Sequence, residues 1–189
     1  MPSSSATSEG TAGAGGVSLD ELALFNIFRG IPLEKLAGVR EILEIQKVAS
    51  GEVIIRDGDE GDTFYLLLEG EVEITKTLVM RMSRQEVDQT DKSLMRLKAE
   101  AHPEFGKPCF GEMALFDERS RRSATVATTE PSTLGVIYHE RFIALCESDM
   151  EVGYRVFKNI CTMLCGRLSK ANQDVLNLTT AFSFVLTSR

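Results

Sequence analysis

Nowhere in this chain do about eighteen apolar residues run together, so no membrane-spanning helix is expected. Histidine is scarce. His102 and His139 stand apart, one in a loop and one near a helix start, with no acidic or nucleophilic partner close in sequence. Two isolated imidazoles cannot assemble the cluster of His and carboxylate ligands that a metal-dependent oxygenase needs. The four cysteines, Cys109, Cys146, Cys161 and Cys165, have no zinc-finger spacing. Cys161 and Cys165, four residues apart on a predicted helix, supply half a metal site. Otherwise these thiols read as small buried hydrophobes of a reducing compartment, here the cytoplasm. The chain starts with sixteen residues of mainly Ser, Gly, Ala and Thr and no apolar core, so no signal peptide is expected. A positive surplus is missing too. The net charge of −7 weighs against a general nucleic-acid or anionic-membrane surface, while leaving room for one local basic pocket. No metal, no cofactor and no catalysis follow from these residues.

What is present fits one domain and a long helix: 189 residues, 43% of them hydrophobic. Residues 1–17 read as a flexible tail, 18–148 as the domain, and 149–189 as the helix. Ser18 is a plausible N-cap for an amphipathic helix to Arg29, and Pro32 opens a second helix over Leu33–Leu43. From Val48 the apolar period becomes two: Val53 and Ile55, then Phe64, Leu66 and Leu68, then Val72 and Ile74. Gly51, Gly58, Gly61 and Gly70 punctuate these runs, the pattern of an antiparallel barrel or jelly roll. A charge-rich segment between Thr77 and Lys107 is long for a hairpin loop, although Leu94, Met95 and Leu97 offer strand residues. Ser123–Ala127 and Thr133–Tyr138 read as closing strands. A short helix over His139–Glu147 precedes a long one beginning near Asp149. Read in sevens, that helix gives Phe157, Cys161, Leu164, Leu168, Ala171, Val175, Leu178, Phe182 and Val185 on one stripe. Val152, Val156, Ile160 and Met163 form a second stripe. One face for the domain and one for a second copy predicts a homodimer.

The stretch with the most chemistry is Phe110 to Val126. A glycine, Gly111, opens a short helical run, with Glu112 just inside it; Arg121, Arg122 and Ser123 follow about ten residues later. A glycine lets the backbone turn and approach a ligand, and the first N–H groups of a helix attract a phosphate. An arginine fork grips a pair of anionic oxygens, and a carboxylate accepts from a hydroxyl.

Taken in order with its flanks, this stretch resembles the cyclic nucleotide-binding domain family, whose members include bacterial catabolite activators, regulatory subunits of cAMP-dependent kinase and nucleotide-gated channels. The matching residues run from Phe25, Phe28 and Ile31-Pro32 through Gly51-Glu52-Val53-Ile54 to Gly58-Asp59-Glu60-Gly61-Asp62 with Phe64-Tyr65. Leu68-Glu69-Gly70-Glu71-Val72 follows, and then Phe110-Gly111-Glu112-Met113-Ala114-Leu115 with Arg122-Ser123-Ala124. The resemblance implies a β-roll jelly roll with flanking helices and a cyclic nucleotide as ligand, cAMP ahead of cGMP. It implies that Glu112 accepts the ribose 2′-hydroxyl, Arg122 pairs with the cyclic phosphate, Ser123 adds a hydroxyl bond, and backbone N–H groups at Met113 and Ala114 help hold the phosphate. Kinase-type spacing would choose Arg121; catabolite-activator spacing chooses Arg122, with Ser-Ala after it as here. In the activators the long helix reads the base through a threonine and a serine. Ala171 and Asn172 fall there, which leaves Asn172 as the base contact, with Phe182 or Phe184 as an alternative cap.

The resemblance further implies a regulatory module acting on an effector protein through its long helix. A helix-turn-helix does not fit in the last few residues, so DNA binding is not expected. The alternative is a ligand-free or other-ligand β-roll acting as an interaction module. Haem or an iron–sulfur cluster, held by some relatives of this roll, finds no cysteine before position 109. The run Asp57-Gly58-Asp59-Glu60-Gly61-Asp62 lacks the distal glutamate of a calcium loop and reads as a turn.

Overall fold

The computed structural model describes residues 16–81, 87–103, 105–116 and 121–187. Helix α1 (Leu19–Ala23), 3-10 turns at Asn26–Phe28 and Leu33–Lys35, and α2 (Leu36–Ile42) lead into the strands. These are β1 (Glu44–Val48), β2 (Val53–Ile55), β3 (Thr63–Glu69), β4 (Glu71–Arg81), β5 (Val87–Lys98), β6 (Cys109–Phe110), β7 (Thr125–Thr128) and β8 (Ser132–Tyr138). Helices α3 (His139–Ser148) and α4 (Met150–Thr187) follow. The strands pair antiparallel in two four-stranded sheets, ordered β1-β8-β3-β6 and β2-β7-β4-β5. This is the expected β-roll with a long C-terminal helix.

Strand β3 explains the layering. Its period-two alternation sends Phe64, Leu66 and Leu68 to one side and Tyr65 and Leu67 to the other, and all five are buried. Tyr65 and Leu67 join Val72, Val126, Leu134 and Val136 between the sheets. Phe64, Leu66 and Leu68 instead meet Leu22, Phe25, Phe28, Leu36, Phe142, Val152, Val156 and Ile160 of the helices. The β3 sheet is therefore the middle of three layers. Gly135 of β8 belongs to this packing: a Cβ there would stand 2.8 Å from a Leu43 methyl.

Several boundaries differ from the sequence reading. Ser18 does cap α1, accepting from the Glu21 N–H at 3.1 Å. The helix stops well short of Arg29 because Phe25 leaves helical geometry to pair with Gly106, while Leu24 accepts from the Lys107 N–H at 2.9 Å. The second helix opens with a 3-10 turn before α2. Val17, assigned to the tail, is packed in the helical layer, and residues 1–15 of that tail lie outside the described residues. Strand β1 was missed because three of its five residues are polar; it sits at a sheet edge, fixed by β8. The charged segment from Thr77 onward is largely strand rather than loop. β4 pairs with β5 from Glu71↔Lys98 to Arg81↔Val87, with a bulge after Ile74, while β7 reaches only to Thr75. Backbone ladders accept any residue but proline, so such a ribbon needs no apolar alternation to form.

Helix α4 has 38 residues, about 57 Å of helix. Val152, Val156 and Ile160 are buried against the roll, Phe157 and Leu164 are half-buried, and Leu168, Val175, Leu178, Phe182 and Val185 are exposed. No helix among the described residues is long and apolar enough to cross a membrane. Asp149 caps α4, accepting from the N–H groups of Glu151 at 3.1 Å and Val152 at 3.3 Å, and pairs with Lys35 at 2.7 Å. The hydrogen bond from Lys35 holds the Asp149 carboxyl below its ordinary pKa. The stability it contributes is present above the ordinary aspartate range and is lost as pH falls through the depressed value. Thermal melts read by circular dichroism are accordingly expected to separate wild type from Asp149→Asn at pH 6, with the gap closing below about pH 4. A gap that stays constant down to pH 3 would show that the charge of Asp149 does nothing for the fold.

Candidate functional site

Gly111 leaves β6 with φ +78°, a left-handed conformation, and turns the chain into a 3-10 turn, Glu112–Leu115. That conformation aims Glu112 inward, where it is 6% exposed beside the Arg167 guanidinium of α4, whose Nη1 donates to Glu112 Oε1. No described residue donates to the second oxygen, Oε2. Ala114 is buried, and its N–H donates to Gly111 O at 3.1 Å, so this N–H is engaged within the turn rather than aimed at a ligand as expected. Met113 is exposed.

Arg122 arrives from the other side. Its backbone is clamped to the β2–β3 loop: Gly58 N–H donates to Arg122 O and Arg122 N–H to Asp59 O, both at 2.8 Å. Its side chain runs past Gly61 and Gly111. A Cβ on Gly61 would stand 2.5 Å from Arg122 Nε, so here glycine supplies space. The guanidinium donates through Nη1 to Thr63 O at 2.9 Å and through Nη2 to Thr63 Oγ1 at 2.8 Å. No carboxylate among the described residues comes within 4.0 Å of it. Burial holds its pKa below the ordinary arginine value, against the attraction of Tyr65 and Asp62. Of the two candidate arginines, Arg122 faces Gly111, while Arg121 is exposed and bridges to Glu60. Ser123 is exposed, its carbonyl accepting from Lys76 Nζ at 2.8 Å, and the same Nζ reaches Asp57 at 2.8 Å.

The site is braced from behind. His139, at the start of α3, donates its backbone N–H to Asp62 O at 2.8 Å. Its ring Nδ1 lies 3.1 Å from Ala114 O, which requires the proton on Nδ1 because a carbonyl only accepts. Phe116, at the end of the turn, meets Phe157 of α4 at 5.3 Å between ring centres. Cys109 sits behind Glu112, its thiol pushed up to about 12 chiefly by burial, which makes it a packing residue and not a nucleophile. Among the described residues no three metal-ligating side chains converge.

Of the residues expected from sequence, the fold brings Gly111, Glu112 and Arg122 together. Asn172 is exposed on α4, and no hydrogen bond joins it to Glu112 or Arg122. The residue of α4 that does reach the site, Arg167, lies one turn before Ala171. A cation at that helical spacing was the available signal. Thr63 and His139 were missed because their roles depend on atoms brought from distant strands.

Residues 45–93 match the family model of the cyclic nucleotide-binding domain. Over those residues the chain is similar to members of the cyclic nucleotide-binding domain family. Among curated proteins it is similar to the cAMP-dependent protein kinase regulatory subunit of Dictyostelium discoideum, 34% identical over 121 residues, covering 64% of this chain and 33% of that one. It is also similar to human cGMP-dependent protein kinase 2, 28% identical over 149 residues, covering 79% of this chain and 17% of the kinase. The chain thus spans a third or less of these two relatives. Its fold is shared with the catabolite activator protein of Thermus thermophilus, with a TM-score of 0.66 and 24% identity, over 82% of this chain and 63% of that one.

Proposed function

We propose that this cyclic nucleotide-binding domain is a cytoplasmic sensor that takes cAMP in preference to cGMP and reports occupancy to an effector protein through α4. The observation that carries this reading is Arg122: a half-buried cation, facing the glycine turn, whose guanidinium has, among the described residues, only the neutral oxygens of Thr63 as hydrogen-bond partners. A cyclic phosphodiester supplies one negative charge and two exocyclic oxygens, the chemistry such a guanidinium takes. Glu112 Oε2, with Oε1 already held by Arg167, is then the acceptor for a ribose 2′-hydroxyl. Exposed Ser123 lies next along the chain and offers a hydroxyl to the ligand, with Met113 lining the turn. The preference for cAMP rests on Arg122-Ser123-Ala124, in the order of the catabolite activators. Asn172 remains the proposed contact to the base, and reaching it requires α4 to move or a second copy to supply it.

Two contacts give the ligand a hold on α4. A hydroxyl arriving at Glu112 changes the environment of Arg167, and reordering of the turn is felt by Phe157 through Phe116. Ligand binding then biases α4 between two packings. The exposed stripe from Leu168 to Val185 fits a parallel homodimer, in which both helices bury it. Four unpaired cysteines suit a reducing cytoplasm.

Isothermal titration with cAMP, cGMP and AMP tests the reading. Saturable heat is expected with cAMP, weaker affinity with cGMP, and none with AMP, which lacks the cyclic diester. Silence with both cyclic nucleotides would remove the function; equal affinity for cAMP and cGMP would remove only the preference.

A further inference from the structure

The way Arg122 is held carries more than its charge. Thr63 meets both terminal nitrogens, its carbonyl taking Nη1 at 2.9 Å and its hydroxyl taking Nη2 at 2.8 Å. These contacts close the outer edge of the fork. A Cβ on Gly61 would lie 2.5 Å from Nε, 2.6 Å from Nη2 and 2.9 Å from Cζ. Only a point near the guanidinium plane, off the Nε–Nη2 edge, satisfies those three distances together. The Gly61 backbone therefore stands against the second edge. A guanidinium presents paired N–H groups along these two edges. Neither is open to a pair of phosphate oxygens while Arg122 sits where it does.

We propose that Thr63 is an internal stand-in for the nucleotide phosphate, holding the fork of Arg122 until a phosphate takes it by exchange, so that Thr63 sets the affinity of the site. The inference rests on the reading of Glu112 and Arg122 as a cyclic nucleotide site. Thr63 suits the role. It is β-branched and stiff at the start of β3, and its hydroxyl donates to Tyr65 Oη at 2.9 Å, which turns its lone pairs toward Arg122. Tyr65, two residues on and on the same face, is fixed by stacking on Phe110 with ring centres 5.1 Å apart and planes 12° apart. Thr63 and the phosphate differ in one respect: the threonine oxygens are neutral, whereas the phosphate oxygens carry a negative charge that attracts the guanidinium beyond the hydrogen bonds themselves. Exchange therefore runs toward the nucleotide, less the cost of leaving Thr63.

The test is calorimetric titration of the full chain with cAMP. Thr63→Val keeps the shape and removes the hydroxyl; it is expected to bind about 3–10-fold more tightly than wild type, and Thr63→Ser within about twofold of it. In an Arg122→Lys background, which has no fork, adding Thr63→Val is expected to change affinity by less than about twofold. Thr63→Ala carries the same expectation should the valine variant melt below the assay temperature. The 15N resonance of Arg122 Nε, a readout that packing alone would not move, is expected to shift when wild type is saturated. In free Thr63→Val it is expected to lie part-way along that shift. Equal or weaker binding by both Thr63→Val and Thr63→Ala overturns the inference, as does an unmoved Arg122 resonance in saturated wild type. Failure of wild type to bind either cyclic nucleotide is a separate result, which removes the nucleotide site itself and the exchange with it.

Discussion

Arg122→Ala is expected to weaken cyclic nucleotide binding by roughly 150- to 1,000-fold. Two charge-assisted hydrogen bonds to a phosphate are at stake, about 3–4 kcal/mol together, and each 1.4 kcal/mol is tenfold in affinity. The fold should hardly notice. Arg122 is half-buried and no carboxylate among the described residues pairs with it directly, so its removal breaks no ion pair there, and Thr63 keeps Tyr65 as a partner for its hydroxyl. A melting temperature close to wild type alongside lost binding would identify a binding defect, not an unfolding one. Arg121→Ala is the control: exposed and bridged to Glu60 through backbone, it is expected to bind within about threefold of wild type. Wild-type affinity in the Arg122 variant would sink the assignment, and a large loss in the Arg121 variant would move it one residue back.

Gly70→Ala is expected to destabilise the fold strongly for a single added methyl group. Gly70 turns β3 into β4 at φ +90°, where an L side chain is strained by about 1–2 kcal/mol. The new Cβ would also stand 2.7 Å from Pro131 O and 2.8 Å from Ser132 Cα, backbone atoms with no rotamer by which to retreat. Overpacking of this kind costs about 1–3 kcal/mol. The sum, about 2–5 kcal/mol, is a large part of the roughly 5–15 kcal/mol that holds a domain folded, and corresponds to a melting point lower by about 5–15 °C. The same substitution at Gly166 should act in the opposite direction. Gly166 lies inside α4 with nothing within 4 Å of the added Cβ, and alanine in a helix interior is favoured over glycine by up to about 1 kcal/mol. Calorimetric melts of both variants decide the matter; a Gly70 variant as stable as wild type would show that the β3–β4 turn can yield.

How far the sequence could be read follows from where the signals lived. Glycine turns and period-two runs are local, so the roll and strands β2, β3, β7 and β8 were legible. Glu112 and Arg122 were legible because they share one stretch of chain. Strand β1 was not, since an edge strand with three polar residues in five has no apolar alternation to detect. The β4–β5 ribbon was legible only in part, through Val72 and Ile74 and through Leu94, Met95 and Leu97, since the rest is held by backbone pairing. The reading of Phe64, Leu66 and Leu68 as the buried face of β3 was half the answer: Tyr65 and Leu67 are buried as well, because a middle layer has no outer face. The pair between Glu112 and Arg167 joins positions 55 residues apart and has no local trace at all.

The helical layer is built from both ends of the described chain. Lys35 meets Asp149 across 114 residues, and Asn159 donates to the carbonyls of Ile27 and Arg29 at 3.0 and 2.8 Å. On a ribosome adding about 5–20 residues per second, the N-terminal helical segment would wait roughly 6–26 s for those partners to be made. In that interval Phe28, Leu36 and the helix-facing side of β3 have no cover from α4, and a nascent chain halted before Met150 would display them to any chaperone within reach.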